Sequence, residues 1–207
     1  YAAGKAFFDR RAGLVAAAVM AVAFLPVFYS RLALNDGPGV LPCALALWAS
    51  AIVLKTGSRR ALLAAGACVG LAASLKYSDG AIVVAVIAAA LLSPLSFKEA
   101  LKGLVLAGLI SIAVVVATNP YMFADWATFT HDLDRQRKFA AGAALLGQPE
   151  RNGWLYYIAS TRWALGVLPG LLAVAGGIAL LVAGRRREAI VLGALIVLYW
   201  LYMGSQN

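Results

Sequence analysis

The stretch GLVLAGLISIAVVVAT, residues 103–118, decides the fold. Lys98 and Lys102 precede it and Asn119-Pro120 ends it. A helix rises about 1.5 Å per residue and needs about 20 largely apolar residues to cross a bilayer core. With its flanks, this stretch reads as a membrane helix stopped by the residue before a proline, which disfavours the helical region. Working outward, residues 12–29, 40–54, 61–75, 81–95, 164–183 and 190–203 have the same character, and no span carries a charged side chain in its interior. The expected class is an all-α, polytopic transmembrane protein with about seven spans. Spans 61–75 and 81–95 are short for a crossing. They read as a helical hairpin tucked against other helices or a thinned bilayer.

Composition agrees. The 207 residues are 63% hydrophobic and only 13% charged, and mean hydropathy is +0.84. A soluble domain of this size needs more charged surface. The net charge of +9 invites a nucleic-acid reading, but the basic residues lie at the ends of apolar segments and not on one polar face. No nucleic-acid partner is expected. Cys43 and Cys68 lie in apolar segments and read as small packing residues. The chain starts at Tyr1 without an initiator Met or signal peptide, and it ends directly after an apolar segment. It therefore reads as an internal piece of a longer protein.

Orientation follows from Lys and Arg. One set of loops holds Lys5, Arg10, Arg11, Lys55, Arg59, Arg60, Lys98, Lys102, Arg185, Arg186 and Arg187. The other holds Arg31, Lys76, Arg135, Arg137, Lys138, Arg151 and Arg162. The first, richer set occupies short loops, where positive charge is retained in the cytoplasm. The second set is then extracytoplasmic. The long segment 119–163 belongs to it. Tyr121, Phe123, Trp126 and Phe129 recur there among polar residues, as in a helix lying at headgroup depth. Gly147-Gln148-Pro149 reads as a turn. Trp154, Tyr156, Tyr157 and Trp163 suit a second aromatic belt, and plain anchoring accounts for most of these aromatics.

Three polar groups share the outer side. They are Ser30-Arg31 with Asn35-Asp36-Gly37-Pro38, then Lys76-Tyr77-Ser78-Asp79, then His131 to Lys138. Arg grips phosphate with two parallel hydrogen bonds and Lys adds a point charge, so the group suits a phosphate-bearing lipid. A nearby carboxylate can act as a base or orient an acceptor. Each has a plainer reading. Arg31 and Asp36 can pair across a tight turn before a new helix, and Lys76 and Asp79 can pair at the hairpin tip. The functional reading leads for Arg31 and Asp36 and is even for Lys76. It trails for His131, a lone histidine in a charged loop, and for the run containing Arg137 and Lys138.

Phe28-Tyr29-Ser30-Arg31, followed by Asn35-Asp36-Gly37-Pro38 and a new apolar span, resembles the polyprenyl-phosphate-sugar-dependent membrane glycosyltransferases. These are GT-C class enzymes of the protein O-mannosyltransferase and lipid A aminoarabinose transferase type. The resemblance continues through Gly57-Ser58-Arg59-Arg60, through Gly70-Leu71-Ala72-Ala73-Ser74-Leu75-Lys76-Tyr77, and into Asn119-Pro120. It implies that residues 1–207 are part of one transmembrane glycosyltransferase domain, truncated at both ends, with 119–163 an extracytoplasmic loop bearing interfacial helices.

The resemblance also implies roles. Arg31 and Asp36 match family residues near the donor phosphate, and Lys76 follows them as a substrate-binding candidate. Asp36 would support catalysis, while the family's main base lies in an outer loop that precedes the part matched by Tyr1, so the resemblance implies that residues 1–207 alone are inactive. The implied partners are a polyprenyl-phosphate-linked sugar donor, an acceptor lipid, glycan or protein, and the bilayer. The implied place is a bacterial inner membrane with the active face outward. Such sites accommodate a divalent metal, but no ligand cluster in this sequence demands one. The rival readings are a transporter or flippase of lipid-linked or small solutes, and a noncatalytic scaffold. Ion-coupled transporters keep ionisable residues near the midplane, and these spans have none.

Overall fold

The computed structural model describes residues 1–32, 34, 36–141 and 153–205, and every regular element among them is helical. In chain order these are α1 (Ala2–Phe7), α2 (Arg10–Val22), α3 (Phe24–Ser30), α4 (Asp36–Thr56), α5 (Arg59–Leu75), a 3-10 turn (Tyr77–Ile82) and α6 (Val83–Leu91). Then come α7 (Phe97–Thr118), α8 (Tyr121–Ala124), α9 (Trp126–Ala141), α10 (Gly153–Ala164), α11 (Val167–Val182) and α12 (Arg186–Gly204). The expected turn at 147–149, together with Asn35 and Arg151, lies outside the described residues.

The protein is an all-α membrane protein. By length and composition α4 and α7, of 21 and 22 residues, are long and apolar enough to cross a membrane. The count rises to four if each of two bent pairs is one span. The expected span 12–29 is one of these pairs, α2 and α3, which meet at 59°. Pro26 explains the break. It lacks an N–H, and its ring would strike the carbonyl four residues back, at Val22, where α2 ends. The other pair is α10 and α11, bent by 114° at Gly166, whose φ of 98° is left-handed backbone open to glycine. The short expected spans are short helices here. Residues 61–75 lie in α5, of 17 residues, and 81–95 give the end of the 3-10 turn and the nine-residue α6.

The core is α5, packed between α4 and α7, with α6 against α4 and α12. Small residues make the approach close. A Cβ on Gly66 would stand 2.8 Å from the backbone of Ala107, and one on Gly70 would stand 3.0 Å from the Cα of Ser111. Gly103 in turn accommodates Leu62. Leu62, Gly66 and Gly70 on α5 therefore face Gly103, Ala107 and Ser111 on α7, each spaced by four. This is the small-residue packing by which membrane helices associate without a hydrophobic driving force between them. Leu62, Val53 and Val86 are fully buried beside these rows. Polar side chains on the helices bond their own backbone, as a lipid environment requires. Buried Ser50 donates to the carbonyl of Ala46 at 2.8 Å, and Ser74 to that of Gly70 at 2.8 Å.

Cross-links mark the two ends of this bundle. At one end Arg59 of α5 pairs with Glu99 of α7 at 3.0 Å, and Ser96 caps α7 in a capping box with Glu99. At the same end Arg185 bonds Glu188 at 2.7 Å and the carbonyl of Phe7 at 3.0 Å. At the other end the hydroxyls of Ser74 and Thr118 lie 2.7 Å apart. The α3–α4 connection and the corner after α5 sit at that second end.

Candidate functional site

The site grows from the start of α4. Asp36 is the first residue of that helix, where a carboxylate complements the positive end of the helix dipole. Gly39 and Cys43 follow at three and seven residues, so all three share one face. α5 returns beside α4 and ends at Leu75. Lys76 then leaves the helix in extended backbone (φ −153°, ψ 128°). That departure carries its side chain to Asp36, and the ammonium pairs with Asp36 Oδ1 across forty residues of sequence.

The 3-10 turn that follows is held on the same face of α4. Its Asp79 N–H donates to the carbonyl of Lys76 at 3.0 Å. Cys43 Sγ donates to the carbonyl of Asp79 at 3.7 Å. The Asp79 carboxylate lies against Gly39, so close that a Cβ on Gly39 would collide with Oδ2. Burial lowers the Lys76 pKa, but the hydrogen bond and charge of Asp36, then the charge of Asp79 and lastly the Tyr199 phenol, raise it more. The ammonium therefore stays charged. Asp79 moves the other way from most carboxylates. Burial pushes it up; Lys76 opposes, Asp36 adds to the rise, and Ser78 opposes.

Beside this corner, where α2 breaks into α3, lies a cavity of about 490 Å³. Met20, Leu25, Val27 and Val40 give it apolar walls, while Tyr29 and Asp36 give it a polar edge. The Pro26 break thus opens a mostly apolar hollow that ends at the charged corner. Tyr199 is brought near Lys76 by α12, which is itself pinned to α10. Trp154 and Trp200 meet edge to face at 4.7 Å, and Trp200 Nε1 donates to the carbonyl of Trp154 at 3.3 Å.

The two plain pairings expected from sequence are not the ones formed. Asp36 is paired with Lys76 and not with Arg31, and the Asp79 carboxylate is turned to Gly39. The reason is tertiary, because the return of α5 beside α4 places Lys76 nearer to Asp36 than any local turn places Arg31. Arg31 follows α3 with an exposed side chain and makes no ion pair among the described residues. His131, Arg137 and Lys138 lie exposed on α9. Lys138 pairs with Asp134 at 2.6 Å and Arg135 with Asp132 at 3.1 Å, both along their own helix. His131 Nδ1 stands 3.7 Å from Asp132. Lys138, by hydrogen bond and charge, holds the Asp134 carboxyl below its usual range. Among the described residues no ion pair or hydrogen bond joins His131, Arg137 or Lys138 to the Asp36–Lys76 corner. What α9 does contribute is Phe129, edge-on to Tyr77 at 6.4 Å. Among the described residues no group of three or more His, Cys, Asp or Glu side chains is placed to hold a metal ion. Sequence reasoning passed over Gly39 and Tyr199. The spacing of Gly39 from Asp36 was a usable signal, while Tyr199 had none.

Compared with known families, residues 1–121 match the family described as dolichyl-phosphate-mannose-protein mannosyltransferase. The match spans more than half of the chain and contains Arg31, Asp36, Lys76 and Asp79. The chain belongs to this family. No curated protein matches it, and no solved structure matches it. As a member of the mannosyltransferase family it is a glycosyltransferase of membrane helices, and the family implies a lipid-linked sugar donor and a bilayer environment. The matched part of this mannosyltransferase-family chain holds the corner and the cavity. The unmatched part, from Met122 onward, supplies Tyr199 and the aromatic pins.

Proposed function

We propose that this chain is part of an enzyme that transfers a sugar from a polyprenyl phosphate to an acceptor hydroxyl at the extracytoplasmic face of the membrane. The observation that carries the reading is the joining of Asp36 and Lys76 at one end of the bundle, on the rim of an apolar cavity. A lipid-linked donor has both chemistries, an apolar tail and an anionic phosphate. The tail's first units suit the hollow between α2, α3 and α4, and the phosphate suits the Lys76 ammonium that Asp36 holds beside its edge.

The acceptor oxygen attacks the anomeric carbon as the bond from that carbon to the phosphate oxygen breaks. The electron pair leaves with the polyprenyl phosphate, and the acceptor proton passes to a carboxylate. Charge grows on the departing phosphate, and cations fixed beside it stabilise the transition state. Arg31, exposed and without an ion-pair partner among the described residues, is available for that contact, and Lys76 stands second. Asp36 holds the Lys76 ammonium. With its carboxylate occupied by that ion pair, Asp36 is given the supporting role and not proton abstraction. The acceptor is a lipid, glycan or protein hydroxyl, and the membrane is a bacterial inner membrane. The pieces 1–207 form part of one transmembrane transferase domain, with 119–163 as its outer loop.

The test is transfer of radiolabelled mannose from a polyprenyl-phosphate donor by membranes containing the intact enzyme of which this chain is part. Arg31→Ala is expected to lower the rate by about 100-fold, the scale of losing one preorganised stabilising group. Asp36→Asn should lower it as well, with insertion into the membrane unchanged. Full transfer by both variants would mean that the site lies elsewhere.

A further inference from the structure

Lys76 serves two carboxylates, and only one of them touches it. Asp36 forms the ion pair. Asp79 forms no ion pair among the described residues, yet the charges of Asp79 and Lys76 act on each other. The position of Asp79 is built. Its backbone is tied to Lys76 on one side and to Cys43 on the other. Its carboxylate occupies the notch that the missing side chain of Gly39 leaves on α4. With both carboxylates ionised and the ammonium protonated, the corner carries one net negative charge. Without the charge of Asp79 it is neutral, and an incoming phosphate meets less repulsion.

We propose that Asp79 is a positioning residue of the Asp36–Lys76 corner, whose charge, fixed against Gly39, sets how readily the Lys76 ammonium engages the phosphate of a lipid-linked donor. This rests on the reading of Lys76 as a phosphate-binding residue. The groups that face Asp79 are Asp36 and Cys43 from α4 and Lys76 from its own corner, with Tyr199 of α12 acting on Lys76. α6 brings no titratable side chain. Burial raises the Asp79 pKa, so its charge is lost on acidification earlier than that of an ordinary aspartate. Donor affinity then rises as pH falls through that titration.

The experiment measures binding of farnesyl methyl phosphate to the detergent-solubilised protein across pH. This phosphodiester keeps a single charge throughout the range. The wild type should bind more tightly toward acid pH, and Lys76→Ala should lose binding. Asp79→Asn should bind about threefold more tightly at neutral pH, the scale of one partly exposed charge interaction, and should show a flat profile. Gly39→Ser, which fills the notch and displaces the carboxylate, should shift binding in the same direction and add nothing to Asp79→Asn. If Lys76→Ala abolishes binding while Asp79→Asn keeps the affinity and slope of the wild type, the role of Asp79 is overturned and the phosphate site stands. If the wild type does not bind the probe, or Lys76→Ala binds it unchanged, the phosphate site itself fails, and the role of Asp79 fails with it.

Discussion

At the scale of the residue, the structure separates charges that the sequence presents as equals. Lys138, Arg135 and His131 are spent on, or lie beside, carboxylates of their own helix, and exposed pairs of this kind contribute little. Lys76 is instead held between segments that meet only on folding. Asp79 then has a consequence for stability. Its carboxyl is raised in the folded protein, so between the unfolded and folded pKa values the folded state binds more protons. Stability from this group is therefore present at low pH and declines as pH rises through that interval. Asp79→Asn removes the decline. Thermal unfolding in detergent should show the variant equal to the wild type at acid pH and more stable at neutral pH. A variant less stable at neutral pH would contradict this sign.

At the scale of the element, the contact of α5 with α7 is made by absent side chains. Gly66→Ala would place a methyl within 2.8 Å of the Ala107 backbone, which cannot swing aside as a side chain can. The expected cost is about 1–3 kcal/mol, the range for overpacking, read as a lower unfolding temperature in detergent. Gly108 is the control on α7. A Cβ there meets nothing within 4 Å, and Gly108→Ala should be neutral or gain up to about 1 kcal/mol from helix propensity. Equal behaviour of the two variants would sink the account of this packing. The α2–α3 break has the same kind of local cause, because Pro26 interrupts hydrogen bonding where the apolar pattern alone runs on.

At the scale of the whole molecule, charges of the two loop sets mark opposite ends of the α4, α5 and α7 bundle among the described residues. Arg59 and Glu99 meet at one end, and Asp36 and Lys76 at the other. If positive charge governs insertion as argued from the loops, the Arg59 end is cytoplasmic. Alkaline phosphatase fused after Tyr77 should then be active in cells, and the same enzyme fused after Ser58 inactive. The reverse pattern would invert the orientation and move the proposed chemistry to the inner face. Much of this organisation was legible beforehand. The apolar runs became helices near their expected places, and the family likeness carried by Arg31, Asp36 and Lys76 lies within the matched residues.

The sequence by itself determined the environment of this protein, its helical class and its family. Those follow from local properties, since uncharged runs must satisfy their backbone internally in lipid, and short motifs are read in order along the chain. Only the tertiary structure decided which carboxylate meets Lys76, that Asp79 sits against Gly39, and that Tyr199 comes near from the far end of the chain. These depend on α5 returning beside α4 and on α12 packing against α6 and α10. Contacts between distant segments are set by how whole helices stack, and single-chain periodicity carries no record of which helices become neighbours.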